Sequence, residues 1–305
     1  MAVLAYWVAF VAGDGAGRPA PLLWLFGGLV VAAGAGRALV RWPGLVSRMV
    51  AGGVTGAIVV TWPGVLEAGG APTGYANSNA TLTSLGVIAA IDAGRTAHNE
   101  SERHGWLAVS GVLAAFTVST WSTAGALTLG AALALLGLSA VARWPGFAVV
   151  GGMIVASTVL AVTAVIALGG DPAGLGERAG VRGELWAAAA DLIDEEPVRG
   201  IGPGRFGDRS SVSDDADLRW AHHGYLQVAA ELGIVGFALV VALAGYVWFR
   251  LWRESSLDPA AAGLGGAVMM IIAVHATVDH VWHVPVVLLV AAFWLSASLA
   301  SPANV

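Results

Sequence analysis

The sequence predicts an all-α, polytopic membrane protein of about ten transmembrane helices, and three observations support this prediction. Hydrophobic residues make up 57% of the 305 residues, whereas charged residues make up only 11%. Apolar runs recur along the chain at lengths close to the roughly 20 residues that a helix needs to cross a membrane. These runs are rich in Ala, Leu and Gly and lack the alternating pattern of barrel strands, so helices are favoured.

The apolar runs give ten predicted spans in order along the chain. They lie near residues 1–13, 20–36, 45–62, 78–93, 104–120, 124–142, 147–169, 223–249, 262–282 and 284–300. Arginines cluster in every second short loop, which predicts that those loops and both termini are cytoplasmic. The chain therefore divides into N-terminal transmembrane helices (1–169), one large extracytoplasmic loop (170–222) and C-terminal transmembrane helices (223–305).

The charged residues concentrate in the predicted loop. It holds 11 of the 20 acidic residues and 6 of the 15 arginines. Its middle part, RGELWAAAADLIDEEP, begins at Arg182 and ends at Pro197. The apolar residues of this part follow helical spacing and are Leu185, Trp186, Ala189, Leu192 and Ile193. We therefore expect an amphipathic helix that lies on the membrane surface or against the helix bundle.

A stretch rich in glycine and arginine, VRGIGPGRFGDRSS, follows this helix. Glycine lets backbone amides approach a bound anion, and guanidinium groups bind phosphate through paired hydrogen bonds. A diphosphate is therefore a suitable ligand, with the candidate binding residues Arg182, Arg199, Arg205 and Arg209. The stretch is neither a P-loop nor a dinucleotide fingerprint. It is also typical of a glycine turn with solvated arginines, and Arg182 also suits an arginine that reaches lipid headgroups.

Two histidines, His222 and His223, stand where the polar loop meets the next apolar run. Gln227 and Glu231 follow at four-residue spacing, on one face of the predicted helix. An imidazole titrates near neutrality and can take a proton from a hydroxyl group, while a carboxylate one or two turns away can orient it. His222, His223 and Glu231 are therefore candidate catalytic residues. A histidine at a membrane interface is also commonly structural.

The predicted helix 262–282 and the residue after it place His275, Asp279 and His283 at four-residue spacing on one face. Ionisable groups at membrane depth are costly and indicate function. These side chains have three possible roles. They could line the same catalytic cavity, with His275 and Asp279 binding substrate, they could form a proton pathway, or they could bind a metal. A metal site fits least, because ligands spread over two helical turns do not close around one ion. Asp92, within another span, is expected to be a buried partner of an arginine or a hydroxyl group.

Several of these motifs, in this order, resemble the O-antigen ligase and polymerase superfamily of bacterial membrane glycosyltransferases. The two most specific are PVRGIGPGRF from Pro197 and AHHGYLQVAAELGIVGF from Ala221. GYANSNATLTSLG from Gly74 is similar to the family's outward loop, and HATVDHVWHVP from His275 is similar to its late helix with His and Asp. Together the motifs cover most of residues 74–290.

The resemblance implies an inverting glycosyltransferase that works at the outer side of the bacterial plasma membrane without a nucleotide sugar, a metal ion or another cofactor. The donor would be a glycan on an undecaprenyl-diphosphate-type lipid carrier. The acceptor would be a hydroxyl group of a glycan, a lipid or a protein during surface polysaccharide assembly. His222 matches the family's motif histidine and would be the general base. Arg182 and Arg205 would hold the diphosphate, and Glu231 would support the base or the packing.

Several alternatives stay open at the level of sequence. His223 replaces the family's asparagine after the motif histidine, so either His222 or His223 can be the base. Ligase and polymerase share a donor and differ in the acceptor, so the sequence does not choose between them. The rival class is a proton-coupled permease, which the repeated RWPG at Arg41 and Arg143 supports. An inactive relative is a further alternative. No basic stripe indicates a nucleic-acid partner.

Overall fold

The computed structural model is all-α over the residues it describes, which confirms the predicted fold class. It describes residues 1–13, 17–42, 44–61, 72–120, 122–142, 146–167, 170, 180–210, 212 and 218–299. These residues form twelve α-helices and one 3₁₀ turn at Val281–His283, with no strand. The helices are α1 Ala2–Ala12, α2 Ala20–Ala38, α3 Leu45–Val60, α4 Ala76–Arg95, α5 Glu100–Ser119, α6 Thr123–Ala142, α7 Phe147–Ala167, α8 Val181–Glu195, α9 Phe206–Arg209, α10 Gly224–Glu254, α11 Pro259–His275 and α12 Pro285–Ser298.

Each of the ten predicted apolar spans overlaps one of these helices, and α8 and α9 lie in the predicted loop. Among the described residues, three helices are long and apolar enough to cross a membrane: α2, the Val149–Ala167 part of α7, and α10. Shorter apolar helices run over Ala2–Ala12, Leu45–Val60, Thr123–Leu138, Pro259–His275 and Pro285–Ala297. The apolar helices indicate a membrane protein, while the assigned orientation stays a prediction.

The chain forms two compact units. The first contains Met1–Gly28, Ala156–Val247 and Ala276–Trp282, and the second contains Leu29–Val155, Trp248–His275 and His283–Val305. These units follow contacts rather than chain order, and the three predicted domains stay a prediction. The second RWPG of the predicted repeat begins at Arg143, and its first three residues lie outside the described residues.

The amphipathic helix predicted from Arg182 is confirmed as α8. Its apolar side packs into the core of the first unit, where Leu185, Ala189 and Leu192 are buried and Trp186 and Ile193 are partly buried. The same core takes Ile166 of α7, Ile201 and Phe206 of the glycine-rich stretch, and Ala221, Leu226 and Ala230 at the start of α10. Burial of apolar surface therefore holds the glycine-rich stretch and the beginning of α10 against α8.

The prediction that one helix carries His275, Asp279 and His283 is wrong. Helix α11 ends at His275, Asp279 lies in the turn that follows, and His283 ends the 3₁₀ turn. Two hydrogen bonds, one long-range and one local, explain the break. The Ala276 carbonyl accepts a hydrogen bond from the Gly224 amide at 2.6 Å. The Asp279 carboxylate accepts one from the next amide, at 2.7 Å, and such side-chain bonds compete with helical bonding.

Asp92 in the second unit is a buried partner of a hydroxyl group and an arginine, as expected. Ser47 donates a hydrogen bond to Asp92 Oδ2 at 2.5 Å, and Arg95 Nε donates one to Asp92 Oδ1 at 2.9 Å. The indole of Trp294 in turn donates to Ser47 Oγ at 2.9 Å. Because a buried charge is costly unless it is paired, these bonds fix α3, α4 and α12 to one another.

Candidate functional site

The glycine loop, defined here as residues 197–205, is bonded to a kink in helix α10. Gly233 has φ 63° and ψ −174°, so the helical path breaks there. The carbonyls of Ala230 and Glu231 accept hydrogen bonds from loop amides, from Ile201 at 2.9 Å and from Gly202 at 3.0 Å. The amide just after the kink donates to the Pro197 carbonyl at 2.9 Å. The kink thus exposes backbone groups that the loop satisfies.

Two glycines allow the loop and the helix to approach this closely. Gly200 and Gly233 have φ values of 74° and 63°, in the left-handed region that favours glycine. A Cβ on Gly200 would lie 2.4 Å from the Glu231 carbonyl carbon, and one on Gly233 would lie 2.2 Å from the Val198 carbonyl oxygen. Both clashes are with backbone atoms, so a change of side-chain rotamer cannot relieve them.

We expect Gly233→Ala to destabilise the first unit by about 2 kcal/mol or more, because a residue other than glycine at φ 63° and ψ −174° costs about 1–3 kcal/mol before any clash is counted. Gly245→Ala is the matched control, since Gly245 lies in the same helix and a Cβ there meets no atom within 4 Å. Thermal unfolding of the two purified variants in detergent measures the difference. Equal melting temperatures would contradict the tight approach at the kink.

The carboxylate of Glu231 is enclosed by hydrogen-bond donors. Oε2 accepts from the Gly204 amide at 2.8 Å. Oε1 accepts from the Phe206 amide at 3.3 Å and from Gln227 Nε2 at 2.7 Å. The other end of the Gln227 amide, Oε1, accepts from the Ala221 amide at 2.7 Å. Glu231 and Gln227 therefore connect the glycine loop to the residue just before His222.

His222 lies beside two side chains of the turn that follows α11. Its Nδ1 is 3.3 Å from Asp279 Oδ1, and His280 Nδ1 is 2.8 Å from the same oxygen. The His222 and His280 rings meet edge to face at 4.8 Å, and His280 stacks on Trp220 at 5.7 Å. Asp279 is fully buried and His222 nearly so. We name His222, Asp279 and His280 the His–Asp cluster; their ligand atoms lie within 4.8 Å of one another.

The backbone at His222 is unusual for a residue other than glycine. Its φ is 47°, and it is the one positive-φ residue other than glycine among those the structure describes. Such a conformation persists only where its surroundings enforce it, and it is common at functional sites. The bonds of Ala221 to Gln227 and of Gly224 to Ala276 enclose the residue on both sides. His222 is therefore held in a fixed orientation.

His223 has different surroundings. Its ring meets Trp186 edge to face at 5.6 Å, and its Nε2 is 3.4 Å from Thr163 Oγ1. Its Nδ1 accepts a hydrogen bond from the Leu226 amide at 3.4 Å. Of the two candidate bases, His222 is the one beside a carboxylate.

The four predicted anion-binding arginines all lie in the first unit. Arg182 begins α8, Arg199 and Arg205 belong to the glycine loop, and Arg209 ends α9. Arg199 lies over the Phe10 ring at 5.0 Å, and Arg209 forms an ion pair with Glu195. Arg205 donates to the Ile201 carbonyl at 3.4 Å. Within the described part of the chain, neither Arg182 nor Arg205 forms an ion pair.

Sequence reasoning missed several residues around this site. The Arg18 amide donates to the Pro203 carbonyl at 2.6 Å, and its guanidinium is 3.4 Å from Asp208. No local signal links positions so distant in sequence. His280 and Trp220 flank predicted residues, and their aromatic character beside His222 and Asp279 was the available signal. His275 belongs to the second unit, where its Nδ1 is 3.3 Å from Thr128 Oγ1. Its predicted role in substrate binding stays a prediction.

Comparison with known proteins agrees with the motifs. Residues 101–241 match a family model described as O-antigen ligase. The matched range contains α8, the glycine loop, both candidate histidines and Glu231. A comparison with curated proteins finds no match. Residues 101–241 of this chain are therefore similar to the O-antigen ligase family.

Proposed function

We propose that this chain is an inverting membrane glycosyltransferase, which moves a glycan from an undecaprenyl-diphosphate-type lipid carrier to a hydroxyl acceptor at the outer side of the bacterial plasma membrane. The observation that carries the proposal is the pairing of His222 with the buried Asp279 carboxylate, 3.3 Å away. The second support is the family match over residues 101–241. The pairing supports a general base for a hydroxyl acceptor, and the family match supports a role in polysaccharide assembly.

His222 is the general base in this proposal. Asp279 beside Nδ1 favours the tautomer with its proton on that nitrogen, which leaves Nε2 able to accept a proton. As the acceptor oxygen attacks the anomeric carbon, its proton passes to His222 Nε2. The bond from the anomeric carbon to the diphosphate oxygen breaks, and the lipid diphosphate leaves with the electron pair. The buried Asp279 carboxylate stabilises the imidazolium that forms.

The arginines of α8, α9 and the glycine loop bind the diphosphate and stabilise its negative charge as it leaves. Arg182 and Arg205 have no competing carboxylate in the described structure, so they fit this role best. Arg209 exchanges Glu195 for the ligand in this scheme. This exchange costs little free energy because an exposed ion pair contributes little to stability. Arg199 is already placed by its contact with Phe10.

Glu231 and His223 serve the reaction indirectly in this proposal. The Glu231 carboxylate is committed to two loop amides and Gln227, so it positions the glycine loop relative to His222. His223 is buried against Trp186 and Thr163 and packs the start of α10. The catalytic histidine is therefore His222.

A reconstituted reaction tests the proposed function. The purified full chain in lipid nanodiscs is given an undecaprenyl-diphosphate-linked glycan and a hydroxyl acceptor, and the product linkage is read by NMR. We expect release of lipid diphosphate and inversion at the anomeric carbon. A donor linked through a monophosphate should react poorly. Retention of configuration would exclude the single displacement, and proton-coupled uptake by proteoliposomes without transfer would favour the permease.

We expect Arg205→Gln to raise the KM for the donor by about tenfold to a hundredfold, since a hydrogen bond to a charged group contributes about 1.5–3 kcal/mol. The matched control is Arg103→Gln, because Arg103 is exposed on α5 and pairs only with Glu100 at 3.6 Å in the described structure. Initial rates over a range of donor concentrations measure the effect. An unchanged KM in Arg205→Gln would remove this residue from the diphosphate site.

A further inference from the structure

The His–Asp cluster offers a set of metal ligands that sequence spacing did not reveal. On one continuous helix, His275, Asp279 and His283 would be too far apart to bind one ion. Because α11 ends at His275, Asp279 and His280 instead lie in a turn, where His222 joins them from the start of α10. One carboxylate oxygen and two imidazole nitrogens meet there, all within 4.8 Å.

The spacing of these atoms suits one small divalent ion. At the usual bond lengths of about 2.0–2.2 Å, two ligands of a tetrahedral Zn²⁺ site are about 3.3 Å apart. His222 Nδ1 and Asp279 Oδ1 are 3.3 Å apart, and His280 Nδ1 and Asp279 Oδ1 are 2.8 Å apart. The three ligand atoms lie within 4.8 Å of one another, so the side chains have to rotate until the two imidazole nitrogens are closer together before all three bind one ion. Two imidazoles with one carboxylate favour Zn²⁺-type ions over Mg²⁺ and Ca²⁺, which prefer oxygen ligands.

The surroundings hold the three ligands in place. The Ala276 carbonyl accepts from the Gly224 amide, which ties the turn that carries Asp279 to the segment that carries His222. Trp220 stacks on the His280 ring with an interplanar angle of 13°. Asp279 Oδ1 accepts from the His280 amide at 2.7 Å, so its carboxylate is fixed as well. A site whose ligands are held in advance loses less conformational entropy on binding.

We infer that the His–Asp cluster binds a Zn²⁺-type ion and that this ion inhibits the transferase. The inhibition rests on the proposed function, whereas the binding does not. An ion on His222 Nδ1 replaces the proton of that nitrogen, and the neutral ring then carries its proton on Nε2. Nε2 can no longer take a proton from the acceptor hydroxyl. The bound ion therefore prevents His222 from acting as the general base.

Metal stoichiometry tests the binding. The full chain is purified, stripped with a chelator, equilibrated with Zn²⁺ alone and analysed by elemental mass spectrometry. We expect one ion per chain, and at least about tenfold weaker binding in His280→Gln and in Asp279→Asn. His104→Gln is the control for surface binding, since His104 is exposed on α5. Fewer than one Zn²⁺ ion per wild-type chain, or the same Zn²⁺ affinity in His280→Gln as in the wild type, would contradict the proposed metal site.

Two further measurements separate loss of folding and loss of activity from loss of metal binding. Zn²⁺ should raise the melting temperature of the wild type and of His104→Gln but not of His280→Gln. A cooperative melting transition in His280→Gln would show that the variant folds, and the absence of a Zn²⁺ shift would show that it lacks the site. The ratio of transfer rates with and without Zn²⁺ should fall well below one in the wild type and return towards one in His280→Gln. Stoichiometric binding without inhibition would overturn the inhibitory role. No transfer in metal-free wild type would instead reject the proposed function and leave the site standing.

Discussion

Replacing His222 with alanine is expected to lower the transfer rate by about 10²–10⁴-fold, the usual contribution of a general base. The ring lies 3.3 Å from the buried Asp279 carboxylate, and neighbouring bonds on both sides hold its backbone. Removal of the ring takes away the proton acceptor and leaves the glycine loop in place. We therefore expect turnover to fall while donor binding persists. Initial rates and binding of a lipid diphosphate measure the two quantities separately.

His222→Asn is the more specific variant for this experiment, because it removes the base and disturbs the backbone less. His222 has a φ of 47°, and asparagine tolerates the left-handed region better than most residues. The backbone is thus preserved while the base is lost. Turnover above about a tenth of the wild-type rate in His222→Asn would contradict the assignment. The same substitution at His223 distinguishes the two histidines, because there we expect lower thermal stability from the loss of packing against Trp186.

The fold was largely predictable because helix formation in a membrane depends on local composition. Each apolar run overlaps a helix, and α8 buries the apolar face that its spacing indicated. Spacing failed at the end of α11, where the helix stops at His275. The break depends on the Gly224 amide, about fifty residues away, and on the side chain of Asp279. A periodicity argument contains neither interaction.

The candidate site was predictable in part for the same reason. Sequence motifs identified His222, His223 and Glu231, but spacing on one helix could not tell which histidine faces a carboxylate. That distinction depends on Asp279, which reaches His222 through tertiary structure. Arg18 was missed because its contacts with Pro203 and Asp208 join segments nearly two hundred residues apart. Long-range contacts of this kind follow from packing and leave no local pattern.

Replacing Glu231 with alanine is expected to be the most destabilising change at the site. It would leave three donors without their acceptor: the half-buried Gly204 amide, the buried Phe206 amide and the buried Gln227 Nε2. Each unsatisfied buried group costs about 1–3 kcal/mol, so the total should be at least about 2 kcal/mol. Thermal unfolding and limited proteolysis of the glycine loop measure the effect. The control is Glu184→Ala, on the exposed side of α8.

Glu231→Gln separates positioning from catalysis. Glutamine keeps one acceptor oxygen but turns an amide group, which is itself a donor, towards a loop donor, so an intermediate loss of stability is expected. If Glu231 only positions the glycine loop, the substitution should mainly raise the KM for the donor and leave kcat per folded molecule nearly unchanged. The reason is that Arg205 lies between Gly204 and Phe206 and moves with the loop. A large fall in kcat with an unchanged KM and an unchanged melting temperature would show instead that the carboxylate takes part in the chemistry.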